Sequence, residues 1–489
     1  MAKGKSIKKN YILNLLYQIT LIIVPLIVTP HTARALLAEG IGQYSFCLSI
    51  ITYFTLFATF GFDVYGQREI AKYQNDKDKQ SKVFWEILIC KTITTSISLL
   101  VLGALFVFDI FKENSIIMFI LVINVISTGL DIIFFFQGNE DFGFSVITSI
   151  IIKILGATSI FIFVRTPKDV WLYTLIHSLM LLVSALALWC VVVKKINKPR
   201  IKELAPFKHM KKAGALFIPA IATTVYCILD KTLIGAITQS NAQNGYYEQS
   251  EKIVKLAMTL VTCLGAVMIP RNTSEIAQGN HEQVKKNIYT ACNFIWILGI
   301  PMIFGICLIA GNAIPWFLGE GYDYSILLLK VFSPLVLLIG LNNIFGMQYL
   351  IPYQKDKYFT ISLISGAITN LILNLIFINL WGSLGATIAT IIAEFVVTLV
   401  MYLFIHKELS SKEMFKTIFK PLIASILMFA IIYPLTLKLI PSIINTCIIV
   451  LAAIIVYFIL ILILKERLTL TFLKSFLSKI KNKLKKEKK

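Results

Sequence analysis

Residues 442–464 read SIINTCIIVLAAIIVYFILILIL, a run of 23 residues without a charged side chain. A helix needs about 20 consecutive apolar residues to cross the hydrocarbon core of a bilayer, so this stretch predicts a membrane-spanning α-helix. The preceding stretch, 421–440, has the same character and is separated from it by a short turn. Together the two stretches predict an all-α protein embedded in a membrane.

Windows of this kind recur along the whole chain, and fourteen transmembrane helices are predicted from them. They cover about 11–29, 41–62, 83–108, 115–136, 143–164, 170–193, 214–238, 249–270, 287–310, 325–349, 358–381, 383–405, 421–440 and 442–464. The sequence therefore predicts an all-α polytopic membrane protein.

The composition leads to the same class. Hydrophobic residues make up 57% of the 489 residues and charged residues only 15%, whereas soluble domains carry about 25% charged residues. A water-soluble globular enzyme and a disordered chain are both excluded. The eight cysteines lie in apolar segments without a C-x-x-C pair, so no metal or redox site is predicted. No small-residue cleavage site follows the first apolar segment, so we expect no cleavable signal peptide.

Positive charge is the second unusual property of the chain. The sequence has 47 Lys and Arg against 26 Asp and Glu, a net charge of +21. With the N-terminus inside the cell, the inner connections hold about 36 basic residues and the outer loops about 5. This asymmetry predicts that both termini are cytoplasmic. It also accounts for most of the charge without a nucleic-acid partner.

A basic connection at 194–213 divides the predicted spans into six before it and eight after it. Gly42-Gln-Tyr44 opens the second span, and Gly245-Tyr-Tyr247 opens the second span after the connection, which is a weak internal echo. We therefore predict a duplication of six spans with two spans added. The predicted parts are 1–193, the linker 194–213, 214–405, the extra pair within 406–464, and a basic tail at 465–489 that forms an amphipathic helix on the membrane surface.

Charges inside the spans are costly in hydrocarbon and are functional candidates for that reason. The densest set is Glu248, Glu251, Lys252 and Lys255. Because successive helical residues are 100° apart, Glu248, Lys252 and Lys255 fall within about 60° of one another. The preceding span supplies a neighbouring pair, Asp230-Lys231. These residues either line a wet cavity or hold the helix bundle together as an ion-pair network, and both alternatives stay open.

Lone charges form the second group of candidates. Lys91 and Lys153 are single cations in apolar spans, and Arg34 follows the first span. Asp131 and Glu394 are single acids, each of which either carries a coupling proton or cation or neutralises a lysine. For Asp131, near the inner interface, the neutralising role is favoured. Tyr44 and Tyr247 are candidates for stacking on sugar rings, although tyrosines are also common at membrane interfaces.

Motifs for nucleotide or metal chemistry are lacking in the sequence. Gly4-Lys5-Ser6 resembles the end of a phosphate-binding loop, but no strand and no earlier glycine precede it. The predicted outer loops are short, and no clustered carboxylates indicate catalysis. The sequence therefore predicts transport rather than bond chemistry, with no cofactor and no catalytic residue.

At several positions the chain resembles the bacterial polysaccharide exporters of the MOP superfamily, the Wzx-like lipid-linked oligosaccharide flippases. Leu37 departs from the resemblance, because such proteins often have Gly there. The motifs that carry it are Thr29-Pro30, Arg34, Glu39-Gly-Ile-Gly-Gln-Tyr-Ser-Phe46, Gly66-Gln-Arg-Glu-Ile-Ala71, Phe135-Phe-Gln-Gly-Asn-Glu140, Leu229-Asp-Lys231, Gly245-Tyr-Tyr-Glu-Gln249, Glu251-Lys-Ile253, Pro270-Arg271, Asn370, Asn374 and Gly385-Ala386.

The resemblance implies two six-helix lobes related by a pseudo-twofold axis, which enclose a cationic cavity that opens to each side of the membrane in turn. It implies an undecaprenyl-pyrophosphate-linked oligosaccharide as cargo, for a capsule, O-antigen or related polysaccharide, and a bacterial cell membrane as location. Head-group binding would fall to Arg34, Lys153, Lys231, Lys252 and Lys255. Asp230, Glu248, Glu251 and Lys91 would form the accompanying charge network. Further expected partners are membrane lipids, a coupling H⁺ or Na⁺, and the polysaccharide polymerase and other assembly proteins.

Two other functions compete with this interpretation. A cation-coupled drug antiporter of the same superfamily would favour acids over lysines in the cavity, and this chain has more bases than acids in its spans. A membrane glycosyltransferase or polymerase would need larger outer loops.

Overall fold

The structure is a computed structural model, and it describes residues 7–198, 201–466 and 469–470. Side chains are described from residue 16 onward in these ranges, except at 142, 201, 219, 222, 223 and 266. All regular structure in the described residues is helical, which confirms the predicted all-α fold. The amphipathic helix predicted for the tail lies largely outside the described residues.

The chain forms two compact units, Met1–Glu248 and Gln249–Lys489. The first unit contains eight helices and the beginning of a ninth. Their bounds are α1 Ile7–Thr59, α2 Phe62–Lys72, α3 Lys77–Val107, α4 Ser115–Leu130, α5 Ile133–Gly138, α6 Phe142–Phe163, α7 Val170–Val192, α8 Met210–Thr238 and α9 Asn241–Ala277. Within this unit α1 packs against α3, α4, α6 and α8, so α1 is its central helix.

The second unit contains the rest of α9 and eight further helices, with a π-helical stretch after α12. Their bounds are α10 His281–Phe317, α11 Asp323–Phe332, α12 Leu335–Asn342, the π-helix Asn343–Leu350, α13 Asp356–Trp381, α14 Ser383–Ile405, α15 Ser411–Phe415, α16 Phe419–Lys438 and α17 Ile443–Ile463. Gly382 joins α13 to α14 at φ 57° and ψ −132°, a conformation that glycine adopts without a steric penalty.

Twelve helical segments among the described residues are long and apolar enough to cross a membrane. The first of them, Leu16–Lys72, covers more than one predicted span, and α8 is not among the twelve. Large apolar side chains point away from the protein interior, including Leu100 at 73% exposure and Phe119 at 70%. Such side chains suit contact with lipid tails. The polytopic membrane fold is confirmed, while the number fourteen and the six-plus-six division stay predictions.

The largest difference from the predicted spans lies between the first two. A loop at about 30–40 is predicted, but two helices, numbered together as α1, meet directly at a kink there, and Leu37 alone departs from helical geometry. Leu37 has φ 57° and ψ 176°, a region that is essentially reserved for glycine because a Cβ is crowded there. The turn between two spans is thus reduced to one strained residue.

Replacing Leu37 with glycine should therefore stabilise the protein. We expect Leu37→Gly to raise the free energy of unfolding by about 1 kcal/mol, because the relieved strain exceeds the added freedom of the unfolded chain. The thermal unfolding midpoint in detergent measures the change. Leu26→Gly is the matched control, since Leu26 is exposed to a similar extent but helical, and it should lose about 1 kcal/mol. Equal losses at both positions would contradict strain at Leu37.

Two glycines bring α1 and the start of α9 into backbone contact. A Cβ on Gly42 would overlap the carbonyl oxygen of Asn241, and a Cβ on Gly245 would overlap that of Ala38. Each obstructing carbonyl belongs to the residue four positions before the other glycine, so the contact is reciprocal. Small residues allow this close approach between membrane helices. The two segments that echo each other in the sequence therefore cross one another in the first unit.

Alanine at either glycine should disrupt this crossing. Gly42→Ala or Gly245→Ala places a methyl group against a backbone carbonyl that cannot rotate away, and we expect a loss of about 3 kcal/mol. Size-exclusion yield and the unfolding midpoint in detergent report the loss. Gly103→Ala is the control, because Gly103 lies in α3 with open space around its Cα. If Gly42→Ala behaves like Gly103→Ala, the close crossing is wrong.

Candidate functional site

Two neighbouring residues of α8 bond two neighbouring residues of α9 in the first unit. Tyr247 donates its hydroxyl hydrogen to Asp230 Oδ2 at 2.5 Å, and Lys231 Nζ lies 2.5 Å from Glu248 Oε2. We name these four residues the Lys231 cluster. Asp230 is buried, whereas the side chains of Lys231 and Glu248 keep 16% and 25% exposure. The ionic half of the cluster is therefore the more accessible half.

Polar side chains on α1 extend this cluster. Ser45 donates to Glu248 Oε2 at 2.9 Å, and Ser49 accepts a hydrogen bond from Thr232 at 2.9 Å. Tyr53 Oη lies 3.2 Å from the same Thr232 hydroxyl. Ser45, Ser49 and Tyr53 are four residues apart, so they lie on one face of α1. The sequence carries this spacing, but it does not show which helix the face meets.

The predicted sugar-stacking tyrosines lie among protein side chains. The Tyr44 ring meets Tyr173 edge-on at a centroid distance of 4.9 Å and also lies near His177. Tyr247 is 1% exposed, and its hydroxyl belongs to the Lys231 cluster. Here both rings contribute to packing and hydrogen bonding, and stacking on a sugar stays a prediction for both.

The second unit holds its own charged residues on α9. Lys255 Nζ lies 2.7 Å from Glu251 Oε1, with side-chain exposures of 53% and 13%. Lys252, between them in the sequence, is half-buried. Glu251 and Lys255 are one helical turn apart, so this pair forms within a single helix. The lysine end of the pair is the exposed one.

Glu394 lies inside the second unit, on α14. Its exposure is 8%, and Asn342 at the end of α12 donates to its Oε2 at 2.6 Å. The Thr398 hydroxyl, one turn further along α14, donates to Asn342 Oδ1 at 2.7 Å. The Glu394 carboxyl group is thus held by an amide that the Thr398 hydroxyl orients. A neutral amide can donate to the carboxylate and accept from the carboxylic acid, so this arrangement is compatible with a proton carrier. Coupling by Glu394 stays a prediction.

Lys91 is fully buried and is neutralised by an acid that sequence reasoning missed. Its Nζ lies 2.8 Å from Asp63 Oδ1 and donates to the backbone carbonyl of Asp131 at 2.7 Å. The Asp131 carboxylate instead accepts the backbone N–H of Ile133 at 2.9 Å, at the start of α5. Asp63 follows the second predicted span directly, and its position in a predicted loop hid its role.

The other predicted cations of the first unit lie at the contact of α1 with α6. Lys153 Nζ stands 5.3 Å from the centre of the Tyr17 ring, a cation–π arrangement that replaces a carboxylate partner. Arg34 lines a cavity that also contains His31 and Arg165. Neither Lys231 nor Glu248 lines that cavity. Among the described residues, no group of three or more His, Cys, Asp or Glu side chains is placed to hold a metal ion.

The predicted cytoplasmic linker packs against the first turns of α3. Asn197 donates its backbone N–H to Ser81 Oγ at 2.9 Å and accepts a hydrogen bond from the Trp85 indole at 3.0 Å. After residues 199 and 200, Ala205 donates its backbone N–H to Glu86 Oε1 at 2.9 Å. Both described parts of the linker are therefore held by the same helix.

Glu86 is buried and is the centre of a cluster that the sequence-based prediction does not include. Its Oε2 lies 2.8 Å from His209 Nε2 and 2.7 Å from Lys208 Nζ. Tyr65 Oη lies 2.7 Å from His209 Nδ1. We name Glu86, Lys208, His209 and Tyr65 the linker cluster. Its members are up to 144 positions apart in the chain, so no local motif reveals it.

Acidification should loosen the linker cluster. Burial lowers the pKa of His209 below its ordinary value, although Glu86 partly opposes the shift. The unfolded chain then binds a proton more readily than the folded protein, so stability falls as the pH drops below about 6.5. The unfolding midpoint between pH 7.5 and pH 5.5 measures this. His209→Gln, which keeps a donor for Glu86, should have a flatter profile. An identical pH dependence in both proteins would contradict the assignment.

Comparison with known proteins identifies the family. The profile of the family described as "Polysaccharide biosynthesis protein" matches residues 7–274, more than half of the chain. A relative from Escherichia coli (strain K12), described as "Putative O-antigen transporter", is 25% identical over 371 residues, which cover 75% of this chain and 88% of the relative.

Two solved structures share the fold. "Lipid II flippase MurJ, inward closed conformation" superposes with a TM-score of 0.69 at 16% identity, covering 91% of this chain and 98% of that one. An inward-facing multidrug resistance MATE family transporter of the MOP superfamily gives a TM-score of 0.63 at 14% identity, covering 85% and 97%. These two structures show the fold. The resemblance to polysaccharide exporters that the sequence predicts is confirmed by the family match, and the chain belongs to the polysaccharide biosynthesis protein family.

Proposed function

We propose that this protein is a flippase that moves oligosaccharide units linked to undecaprenyl pyrophosphate from the inner to the outer leaflet of a bacterial cell membrane. The family match over residues 7–274 is the observation that carries the proposal. The relative named for O-antigen transport, matched over most of its length, supports a surface polysaccharide as the product. Capsule, O-antigen and related pathways share this cargo chemistry.

The physical task is to carry a charged, hydroxyl-rich head group across about 30 Å of hydrocarbon. Cationic side chains in a wet cavity can neutralise the diphosphate while the prenyl chain stays in lipid. Alternating access of two lobes exposes such a cavity to each side in turn. The reciprocal crossing at Gly42 and Gly245 supports an origin of the lobes by duplication, because the two echoing segments use the same glycine in the same way.

Lys231 is the residue through which we propose that cargo binding and conformational change are linked. It forms an ion pair with Glu248, and a diphosphate that binds Lys231 must displace that carboxylate. Since a carboxylate and a phosphate compete for one ammonium group, cargo entry breaks the pair and cargo release restores it. Asp230 and Tyr247 position the cluster through their own hydrogen bond.

In the second unit, Lys252 and Lys255 are the proposed cargo contacts, with Glu251 holding Lys255 until cargo arrives. Arg34 and Lys153 are the further candidates of the first unit. Glu394 is the proposed carrier of a coupling proton, and Asp131 is the weaker candidate because its carboxylate accepts the backbone N–H of Ile133. Both termini are proposed to face the cytoplasm, and the polymerase is proposed to receive the cargo outside.

Charge substitutions at the Lys231–Glu248 pair should act in opposite directions on binding. Lys231→Ala removes the cation, so we expect cargo binding and export to fall at least tenfold, equivalent to about 1.4 kcal/mol. Glu248→Gln removes the competing carboxylate, so binding should tighten while release and export slow. Binding is measured on purified protein with the lipid-linked oligosaccharide, and export as surface polysaccharide at matched protein level. Weaker binding in both variants would indicate a purely structural pair.

The lysines of the second unit give a separate test. Lys252→Ala combined with Lys255→Ala should reduce surface polysaccharide, because two proposed phosphate contacts are lost. Lys286→Ala is the control, since Lys286 is exposed on α10 and has no proposed contact with cargo. Unchanged export without Lys252 and Lys255 would overturn their binding role. Loss of drug efflux with intact polysaccharide export would instead favour an antiporter.

A further inference from the structure

A cavity of about 520 Å³ lies where α1 meets the end of α6 in the first unit. It is lined by Ile27, Pro30, His31, Arg34, Ala35, Phe161 and Arg165. Two guanidinium groups and an imidazole supply all of its polar side chains, and no carboxylate lines it. Its volume falls in the range of sites that bind small organic ligands. The cavity is therefore a small, positively charged site.

Backbone contacts hold two of these polar groups in place. Arg165 donates from Nε to the carbonyl of Ile162 at 2.9 Å, which leaves its terminal nitrogens to bind elsewhere. His31 Nε2 lies 2.8 Å from the Val164 carbonyl oxygen. The centre of its ring lies 4.6 Å from the centre of the Phe161 ring. A fixed guanidinium loses less conformational entropy when it binds a phosphate, because its orientation is already set.

The acid nearest in sequence is used for local structure. Asp169 Oδ2 accepts hydrogen bonds from the backbone N–H groups of Arg165 and Thr166, at 2.9 and 2.7 Å, and from the Thr166 hydroxyl. These contacts close the turn between α6 and α7. The carboxylate therefore shapes the loop that carries Arg165, and its Oδ2 is occupied by donors of that loop.

One wall of the cavity is apolar and opens outward from the protein. Ile27 is 56% exposed and Phe161 is 39% exposed, both on helices with the character of membrane spans. A ligand that fits both walls has an anionic group next to a hydrocarbon chain. The lining has no hydroxyl, amide or carboxylate side chain, and its two guanidinium groups match a phosphate more closely than a neutral sugar unit.

We propose that this cavity binds the phosphate head group of an anionic phospholipid, with Arg34 and Arg165 on the phosphate and an acyl chain along Ile27 and Phe161. In the predicted orientation the site faces the outer leaflet. The lipid is a resident partner of α1 and α6. This assignment takes Arg34 out of the set of proposed cargo contacts and leaves Lys153 and Lys231 as those of the first unit. It ties the loop between α6 and α7 to the membrane surface beside the strained turn at Leu37.

The test is native mass spectrometry of the detergent-purified full chain titrated with phosphatidylglycerol. We expect Arg165→Gln to weaken binding about fivefold, and Arg34→Gln with Arg165→Gln about 25-fold. Lys112→Gln with Lys168→Gln removes the same charge from exposed lysines of outer loops and should leave affinity unchanged. Arg165 is exposed and its side chain makes one backbone contact, so the single variant remains informative if the double variant does not fold.

Two further probes separate the sources of phosphate. Phosphatidylcholine should bind weakly and with no difference between wild type and Arg165→Gln. Inorganic phosphate at millimolar concentration should not displace phosphatidylglycerol, because it lacks the chain that contacts Ile27 and Phe161. Full displacement by inorganic phosphate would overturn the lipid assignment in favour of a free-anion site. Equal phosphatidylglycerol affinity in Arg165→Gln and wild type would overturn the site itself.

Discussion

The structure depends on one constraint: a charge placed in an apolar helix has to be compensated where it stands. Burial of an unpaired ion costs several kcal/mol, and the helices meet this cost in different ways. Lys91 pairs with Asp63 while fully buried, Lys231 pairs with Glu248 at partial exposure, and Lys153 lies over an aromatic ring. We propose from this graded exposure that the buried charges are structural and that the partly exposed ones are available to cargo.

The first unit therefore has an ion pair with a fully buried lysine, and both units have partly exposed ion pairs. Lys91 has no exposed surface, so a ligand cannot reach it unless α3 moves away from α2. Lys231 and Lys255 keep part of their surface while paired. A pair of that kind can exchange partners at a small net cost, because the incoming phosphate replaces the carboxylate as it leaves.

Hydropathy alone was sufficient to predict the class of the fold, because a bilayer requires long apolar helices and tolerates little else. Asp230, Lys231, Tyr247 and Glu248 were also predictable as neighbours, since they lie on consecutive spans. Asp63, Glu86 and Arg165 were missed because each lies at or near the end of a span, where charge is ordinary. Their partners come from other helices, and a single sequence does not reveal which helix ends lie close together in the fold. At Leu37 the sequence showed only a leucine where similar proteins often have glycine, and it did not show the strained backbone.

The glycine crossing has a consequence for how this protein can change over generations. Most close contacts between side chains tolerate paired mutations, in which one residue shrinks as its neighbour grows. Here both positions already carry the smallest residue, and each faces a carbonyl oxygen of the main chain. No second mutation at the opposite glycine can make room for the first. A substitution at Gly42 or Gly245 therefore cannot be compensated by a substitution at the other glycine. The distance between the two helices is expected to stay constant as the sequence evolves.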